Sequence, residues 1–454
     1  MRADVVVIGG GAAGTLLTAQ LLRSAWHPFV ILLLERTGRI GEGLAYSTHE
    51  PMHLLNVPAG KMSAFPDEPG HFLSWLQVRE PGAQACTFAP RLQYARYLRE
   101  TLSEAEARSP ATLVRMAGNV VDLRGQPGGV CLTLDDGLEV DAGAAVLAIG
   151  NAPSTPPDVP DDGVFASDLY RSSPWAPGAL DGLAPDSSVL LIGSGLTTVD
   201  TIVALQRRRH RGVIHVISRH GLLPQRHAPG ARPFAWKPEP PTSARSLLQQ
   251  IREHSQDVGW RAVMDGLRPL TQKLWRGLPE AEKRRFLRHA RTYWDIHRHR
   301  MAPEVAEIVD AMERSGQLRV RASRLLSVKN NGAFAAAQLR PRGSLQPIEL
   351  QVGRIINCTG PATLHGARLP LIQRLLARGL GRLDSLGLGL EVDARFRCVD
   401  ELGNASLPLF ALGPLLRGEL WETTAIPEIS AQAQLTARAV GRLLEPAMHP
   451  QQVG

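Results

Sequence analysis

Apolar residues along the chain come in two recurring forms, short unbroken runs and longer stretches with helical spacing. The segment "DVVVIGGGAAGTLLTAQLL" (4–22) opens with the first form and passes directly into the second. An uninterrupted aliphatic run bounded by glycines is the pattern of a strand buried on both faces, as in a parallel sheet covered by helices. Val30 to Leu34 repeats that run and ends in Glu35. "ATLVRMAGNVVDL" and "GVCLTLDDGLEV" read as further strands, and "AAVLAIGNAP" returns to the buried kind. The series then recurs: "SSVLLIGSGLTTVDTIVAL" and "GVIHVISRHG" are followed by "LRVRASRLLSV", a "KNNG" turn, "AFAAAQLR" and "VGRIINCTGPA".

Two such series predict an α/β protein with two Rossmann-like dinucleotide-binding domains, the second inserted into the first. The first domain is expected to take residues 1–152 and 353–454, and the second 153–352. The Pro-rich "APSTPPDVPDD" (152–162) is the expected crossover. From Ser243 to Glu313 the pattern turns helical, with "SLLQQIREH" and "EIVDAMER" as examples. This predicts a helical insertion near 243–314 that caps the second domain. The tail "PLFALGPLLRGELWETTAIPEISAQAQLTARAVGRLL" predicts a strand, a loop and a long final helix. Pro427 suits its first turn, and Glu428 suits the positive end of its dipole.

Each series begins with a dinucleotide fingerprint. In the first, Gly9 permits a tight turn, Gly11 lets backbone approach a pyrophosphate, and Gly14 lets helix and strand pack closely. Glu35 follows Gly14 by twenty-one residues, the spacing of an acid that receives ribose hydroxyls. In the second, Gly193 and Gly195 are present but Thr198 replaces the third glycine. The next strand ends in Ser218-Arg219 instead of an acid. An Arg there suits the 2′-phosphate of NADPH, whereas an acid suits NADH. The apolar strands ending in Ile149-Gly150 and Thr359-Gly360 stand at corresponding places in the two series.

Composition narrows the chemistry. With 454 residues, 44% hydrophobic and 21% charged, the chain has ample core for two or three domains. The apolar run Pro28 to Leu34 is too short to span a bilayer. The start "MRADVVVIGG" enters a strand with no signal-peptide pattern. No membrane association and a cytoplasmic location are therefore expected. The formal charge of +8 concentrates in "RRRHRGVIHVISRH" and "EKRRFLRHARTYWDIHRHR". No nucleic-acid motif accompanies them, so attraction of anionic small molecules is the better reading. The four cysteines, Cys86, Cys131, Cys358 and Cys398, lie far apart with no CxxC pair. That spacing argues against a disulfide framework, a zinc ribbon or a dithiol relay, and no metal site is expected.

Segment 41–63, "GEGLAYSTHEPMHLLNVPAGKMS", is rich in Gly, His, Asn and Met and nearly uncharged. A surface loop would carry more Lys and Glu, and a core strand fewer glycines and prolines. "RHRMAP" (298–303), after Tyr293-Trp294, offers cations to NADPH phosphates or to an anionic substrate, or is a solvated helix face.

The pieces "GGGAAG", "GEGLAYST", "LLNVPAGKMS", "FLSWL", "VLAIGN", "LIGSGLTTVD", "ISRHGLLP", "RHRMAP", "INCTGP" and "ALGPLLRGELWETTAIPE" occur in order over nearly the whole chain. In these pieces the chain resembles a bacterial family of FAD/NAD(P)-binding proteins. More distantly, "FPDEPGHFLSWL" and "RLQYARYLRETL" are similar to N-hydroxylating flavin monooxygenases. One branch of the closer family comprises FAD-dependent urate hydroxylases. The resemblance implies FAD on the first fingerprint and NADPH or NADH on the second, with Gly150, Gly413 and Pro427 added to the cofactor-binding set. It also implies that segment 41–63 runs under the flavin ring. Asn56, His53 and Ser63 then face flavin or substrate, and Met52 and Met62 pack.

A flavin beside a nicotinamide site passes hydride to the flavin, and the missing CxxC leaves oxygen, a small acceptor or a separate protein to take the electrons. The expected function is a single-component monooxygenase acting through a flavin C4a-hydroperoxide on a small molecule, with molecular oxygen as co-substrate and no nucleic-acid partner. The resemblance points first to urate as that molecule and to its conversion to 5-hydroxyisourate. Asn56, His53 and Arg300 are the candidate catalytic residues, with Arg91 a further possible donor to substrate. N-hydroxylation of an amine or amino acid, a reductase or oxidase without oxygenated product, and a flavin-binding redox sensor are the alternatives.

Overall fold

The computed structural model describes residues 1–228, 230, 232–237, 243–366 and 369–445. Six strands come first along the chain: β1 (Arg2–Ile8), β2 (Val30–Glu35), β3 (Thr112–Ala117), β4 (Val120–Gln126), β5 (Gly129–Leu134) and β6 (Glu139–Leu147). They order β3-β2-β1-β6-β5-β4 in one sheet. Strands β1, β2, β3 and β6 run parallel, with Val7 beside Leu33 on one side and Val146 on the other. Because strand side chains alternate in direction, Val5 and Val7 enter one core, with Leu16, Leu17, Tyr94 and Ile429. Val6 and Ile8 enter a second core with Leu32, Leu34, Ile372 and Leu375. Burial on both faces explains the unbroken aliphatic run.

The second sheet is built from β7 (Tyr170–Arg171), β8 (Val189–Ile192), β9 (Ile214–Ser218), β10 (Leu318–Asn330), β11 (Ala335–Pro341), β12 (Ile348–Val352) and β13 (Arg354–Asn357), in the order β12-β11-β10-β9-β8-β13-β7. It repeats the plan of the first, a parallel set extended by an antiparallel hairpin. One face packs Val189, Leu191, Val199, Ile202, Val305 and Val309 together; the other holds Leu190, Ile192, Ile217 and Ala337. The chain then returns to the first sheet with β14 (Leu409–Ala411), which pairs parallel with the last three residues of β6. The fold is thus α/β with two Rossmann-like domains, as expected.

Three details differ from the sequence reading. Strand β13 pairs with β8 and β7 in the second sheet, so a boundary at 352/353 cuts the second domain one strand too early. "GVCLTLDDGLEV" spans β5 and the first residues of β6, and "AAVLAIGNAP" continues β6, whose first half pairs with β5 and second half with β14. The third difference concerns the insertion. Its last helix, Pro303–Arg314, covers the second sheet beside Leu196–Arg207 and is that domain's own crossover.

The remaining insertion helices, Ala244–Val258 through Arg291–Arg298, do not simply cap the second domain. Trp275 and Leu278 pack against Trp421 of the first domain, and Trp275 Nε1 donates to Gly418 O at 2.7 Å. Arg268 forms a two-pronged ion pair with Glu428 at 2.9 and 3.1 Å. The insertion is therefore seated on the loop and helix that close the first domain.

Candidate cofactor sites and active site

The first fingerprint joins β1 to the helix Ala12–Ser24. Gly9 has φ of 108°, and a Cβ there would stand 2.5 Å from Ala148 O. A Cβ on Gly14 would overlap the carbonyl of Gly9. The helix N-terminus has no side-chain cap and no acid in its first turn, which leaves its N–H groups to an anion. Gly43 lies across from Gly11, its Cα 3.4 Å from where a Gly11 Cβ would be. Glu35 accepts from Gly10 N at 2.8 Å and from the Thr37 hydroxyl at 3.0 Å, which holds its carboxylate beside the glycine loop.

The final helix, Ile426–Leu444, has Pro427 in its first turn, as expected. Its Gln432 accepts from Gly413 N at 3.1 Å, and Gly413 lies against Ala13 of the fingerprint helix. Gln432 Nε2 is buried without a partner. Gly9, Gly11, Gly14, Glu35 and Gly413 are thus gathered at one end of the sheet, and Gly150, with φ of 74°, follows β6 there. Glycine backbone, a free helix end, a carboxylate and an unpaired amide donor fit a dinucleotide with its pyrophosphate on the helix.

The second fingerprint repeats this geometry. Gly193 has φ of 112° and meets Cys358 O as Gly9 meets Ala148 O. Gly195 caps the helix Leu196–Arg207 with open space around it, and again no side chain caps the N–H groups. Ser194 donates to Ser218 Oγ at 2.9 Å, so the end of β9 is tied to the loop by hydroxyls where the first site uses Glu35. Arg219 occupies the position matching Glu35, twenty-one residues after Thr198. It is exposed and followed by His220, whose Nδ1 lies 3.4 Å from Arg342 Nη1. Burial, Arg342 and Arg219 together lower the pKa of His220.

Segment 41–63 crosses between the domains. His53 is buried, with Nδ1 2.6 Å from the Thr48 hydroxyl and Nε2 2.9 Å from Asp200 O in the second domain. Its ring stands edge-on to Trp175. Arg91 pairs with Asp200 at 2.8 Å and donates to Leu54 O at 3.1 Å. Both ring nitrogens of His53, and Nε and Nη2 of Arg91, are thus engaged in an interdomain clasp. A cavity of about 180 Å³ lies against this clasp, lined by Thr48, His53, Trp175 and Thr201. Ser63 is likewise engaged, its hydroxyl 2.7 Å from Glu68 O and 2.9 Å from Phe65 O while accepting from Phe65 N at 3.0 Å. Met62 is buried in the core of the first domain that holds Val5 and Val7, and Met52 packs against the Val189 and Val199 core of the second domain.

Asn56 and Arg300 belong to a different group. His227 Nε2 lies 3.1 Å from Asn56 O, which makes the ring the donor and Nδ1 the free acceptor. Burial first, then the charge of Arg300, pushes the His227 pKa down to about 4, so the ring is neutral near pH 7. Arg300 is buried and paired with Asp265, while its Nε has no partner. Lys61 joins the same field: burial lowers its pKa, as do Arg268, Arg300 and Arg298, while Asp265 opposes them. The Asn56 side chain is half-buried.

Behind this group, Arg298 reaches partly buried Glu428 at 3.2 Å and buried Glu422 at 3.5 Å. Trp294 Nε1 donates to Glu422 at 2.9 Å. Burial would raise the Glu422 pKa, but Arg298, His299 and Trp294 outweigh it and hold the carboxyl below its usual range. The two arginines of "RHRMAP" are thus buried ion-pair members, not a solvated helix face.

Lys61, His227, Asp265 and Glu422 were not singled out from the sequence. Lys61 did leave a signal, as the only Lys, Arg, Asp or Glu between Pro51 and Pro66. The other three come together only through packing of the insertion. Among the described residues no group of three or more His, Cys, Asp or Glu side chains is placed to hold a metal ion. Cys86 is exposed, and Cys131, Cys358 and Cys398 are buried. No described helix is long and apolar enough to cross a membrane.

Comparison with known proteins agrees with this geometry. Residues 6–152 match the family model described as FAD-NAD(P)-binding. No curated protein sequence matches the chain. Among solved structures, an ornithine N-hydroxylase of Kutzneria sp. 744, with reduced FAD, NADP+ and L-ornithine, is similar at 17% identity, TM-score 0.67, over 97% of this chain and 99% of that one. L-lysine 6-monooxygenase of Pseudomonas syringae is similar at 16% identity, TM-score 0.66, over 98% and 100%. Thioredoxin reductase of T. acidophilum is similar at 11% identity, TM-score 0.55, over 97% of each chain. Residues 6–152 therefore form an FAD/NAD(P)-binding domain, within a chain that has the two-domain fold shared by N-hydroxylating flavin monooxygenases and thioredoxin reductases.

Proposed function

We propose that the protein is an FAD-dependent, NADPH-consuming monooxygenase that hydroxylates a nitrogen of a small molecule bearing an anionic group. The observation that carries this reading is the pair of matching fingerprint geometries, one with Glu35 and one with Arg219 at the same position. An acid there receives ribose hydroxyls, and a guanidinium receives a 2′-phosphate. The same pair of sites in a thioredoxin reductase would serve a dithiol, but this chain has no CxxC, and Cys358, the thiol next to the second fingerprint, is buried with its pKa pushed up to about 12. Bound FAD would supply hydride acceptance and oxygen activation; the chain supplies positions and charges.

Each residue's part follows from its surroundings. Gly9, Gly11, Gly14 and Gly413 let backbone approach the pyrophosphate of FAD, and Gly193 and Gly195 do the same for NADPH. Lys61 and Arg300 share one field with Arg268, Arg298 and Asp265, and are the cations offered to a substrate carboxylate. Neutral His227 donates to Asn56 O and fixes the segment beneath the substrate, leaving the Asn56 amide to donate and accept. Trp294, Trp275 and Trp421 pack the insertion over the Glu422 loop and exclude water from it.

The carboxylate of an amino acid suits the cationic lining, and the ornithine and lysine hydroxylases with this fold act on amino acids that carry a side-chain amine. Urate, expected from the family resemblance, is also anionic, but no comparison supports it. The test is a screen of amino acids, diamines and urate for stimulated NADPH oxidation, with the product identified. A hydroxylamine formed in proportion to NADPH consumed supports the proposal. Loss of urate absorbance in proportion, without reaction of any amine, replaces it with urate hydroxylation.

A further inference from the structure

Helix Arg291–Arg298 of the insertion touches both cofactor domains with consecutive residues. Tyr293 packs on His220 of the second domain, ring centroids 5.7 Å apart and planes tilted by 58°. Trp294 turns the other way and donates to Glu422 of the first domain at 2.9 Å, and Arg298 follows it to Glu428 at 3.2 Å. Tyr293 remains 46% exposed, so much of its ring is not consumed by packing. His220 directly follows Arg219 at the end of β9, and Arg342 lies against His220.

In a β-α-β dinucleotide fold the ligand lies outside the carboxyl ends of the strands, with the ribose contact after the second strand. Those strands here are β8 and β9, and the residues after β9 are Arg219 and His220. An aromatic ring brought there by a different element has a ready use, because every purine presents a π-face to stack upon. We propose that Tyr293, backed by His220, is the wall that receives the adenine of the nicotinamide cofactor, and that through Trp294 and Arg298 this contact ties the seating of the insertion to cofactor binding. The inference rests on the reading of the second fingerprint as the NADPH site. It assigns separate tasks: Arg219 distinguishes NADPH from NADH, while Tyr293 serves both.

Calorimetric titration of the FAD-loaded protein with NADP+ and with NAD+ tests it. Tyr293→Ala is expected to weaken both ligands about tenfold, Tyr293→Phe to bind as wild type, and Arg219→Ala to weaken NADP+ alone. In limited proteolysis, NADP+ is expected to protect the insertion of the wild type but not of Tyr293→Ala. If Tyr293→Ala binds both ligands as wild type while Arg219→Ala loses NADP+, the wall assignment is overturned and the NADPH site stands. If neither variant changes the affinity for NADP+, the NADPH site itself is wrong and the wall goes with it.

Discussion

Thr198 donates its hydroxyl to Gly193 O at 2.9 Å, at the place where the first fingerprint sets Gly14 directly against Gly9 O. The two loops solve one packing problem in different ways. Gly14 removes the side chain so that the helix can close on the carbonyl. Thr198, fully buried, keeps a side chain and satisfies the same carbonyl with a hydrogen bond. The replacement that weakens the motif on paper is therefore a structural equivalent.

Substitution separates the two solutions. Gly14→Ala forces a methyl into the Gly9 carbonyl and is expected to cost about 2 kcal/mol or more and to release FAD. Thr198→Val removes the donor to Gly193 O and is expected to cost about 1–3 kcal/mol, while Thr198→Ser stays near wild type. Urea midpoints and flavin content report both.

Gly11→Val is expected to yield colourless protein. Its methyl groups would meet Gly43 and fill the space left for a pyrophosphate. The visible spectrum after purification is the check, and a fully flavin-loaded Gly11→Val variant would contradict the assignment of this loop.

Arg219→Ala is expected to raise the Michaelis constant for NADPH about ten- to a hundredfold, the range of a lost charge-assisted contact, with little change for NADH. Equal effects on the two cofactors would make Arg219 a plain surface charge.

Much of this organisation was legible in the sequence because its determinants are local. Aliphatic runs, glycine spacing and the residue twenty-one positions on fix strand, turn and ligand edge together. What escaped depends on packing between distant segments. His53 looked like a flavin-facing residue because nothing near it in sequence reveals that Asp200 will take its Nε2. Arg91 pairs with the same acid. Helix pattern alone located the insertion but not its seat, since the partners of Arg268 and Trp294 lie more than a hundred residues away, at Glu428 and Glu422.

That seat makes Glu422 sensitive. Glu422→Leu leaves Arg298 buried with one carboxylate fewer and is expected to cost about 3 kcal/mol, together with faster proteolysis of the insertion. Thermal unfolding and limited digestion report the change, and an unaltered digestion rate would show that the insertion is held elsewhere.

Acid is expected to destabilise the protein below neutral pH. Burial, with Arg321 and Arg319, lowers the His215 pKa to about 4, and His227 is lowered likewise. Both stay neutral in the fold while the unfolded chain takes up protons below about pH 6.5. Their contribution is thus fully present above that pH and lost as pH falls from about 6.5 to 4. Urea midpoints across this range should fall, and His215→Leu should flatten the slope by about one proton. A parallel slope in the variant would place the titration elsewhere.

The central claim is the division of labour between the two fingerprints, FAD on the first and NADPH on the second. Anaerobic mixing of the FAD-loaded protein with one equivalent of NADPH tests it most directly. The expected result is full bleaching of the flavin absorption, much faster than with NADH at the same concentration, and loss of that preference in Arg219→Ala. A bound flavin that NADPH does not reduce, or reduction equally fast by NADH, would contradict it.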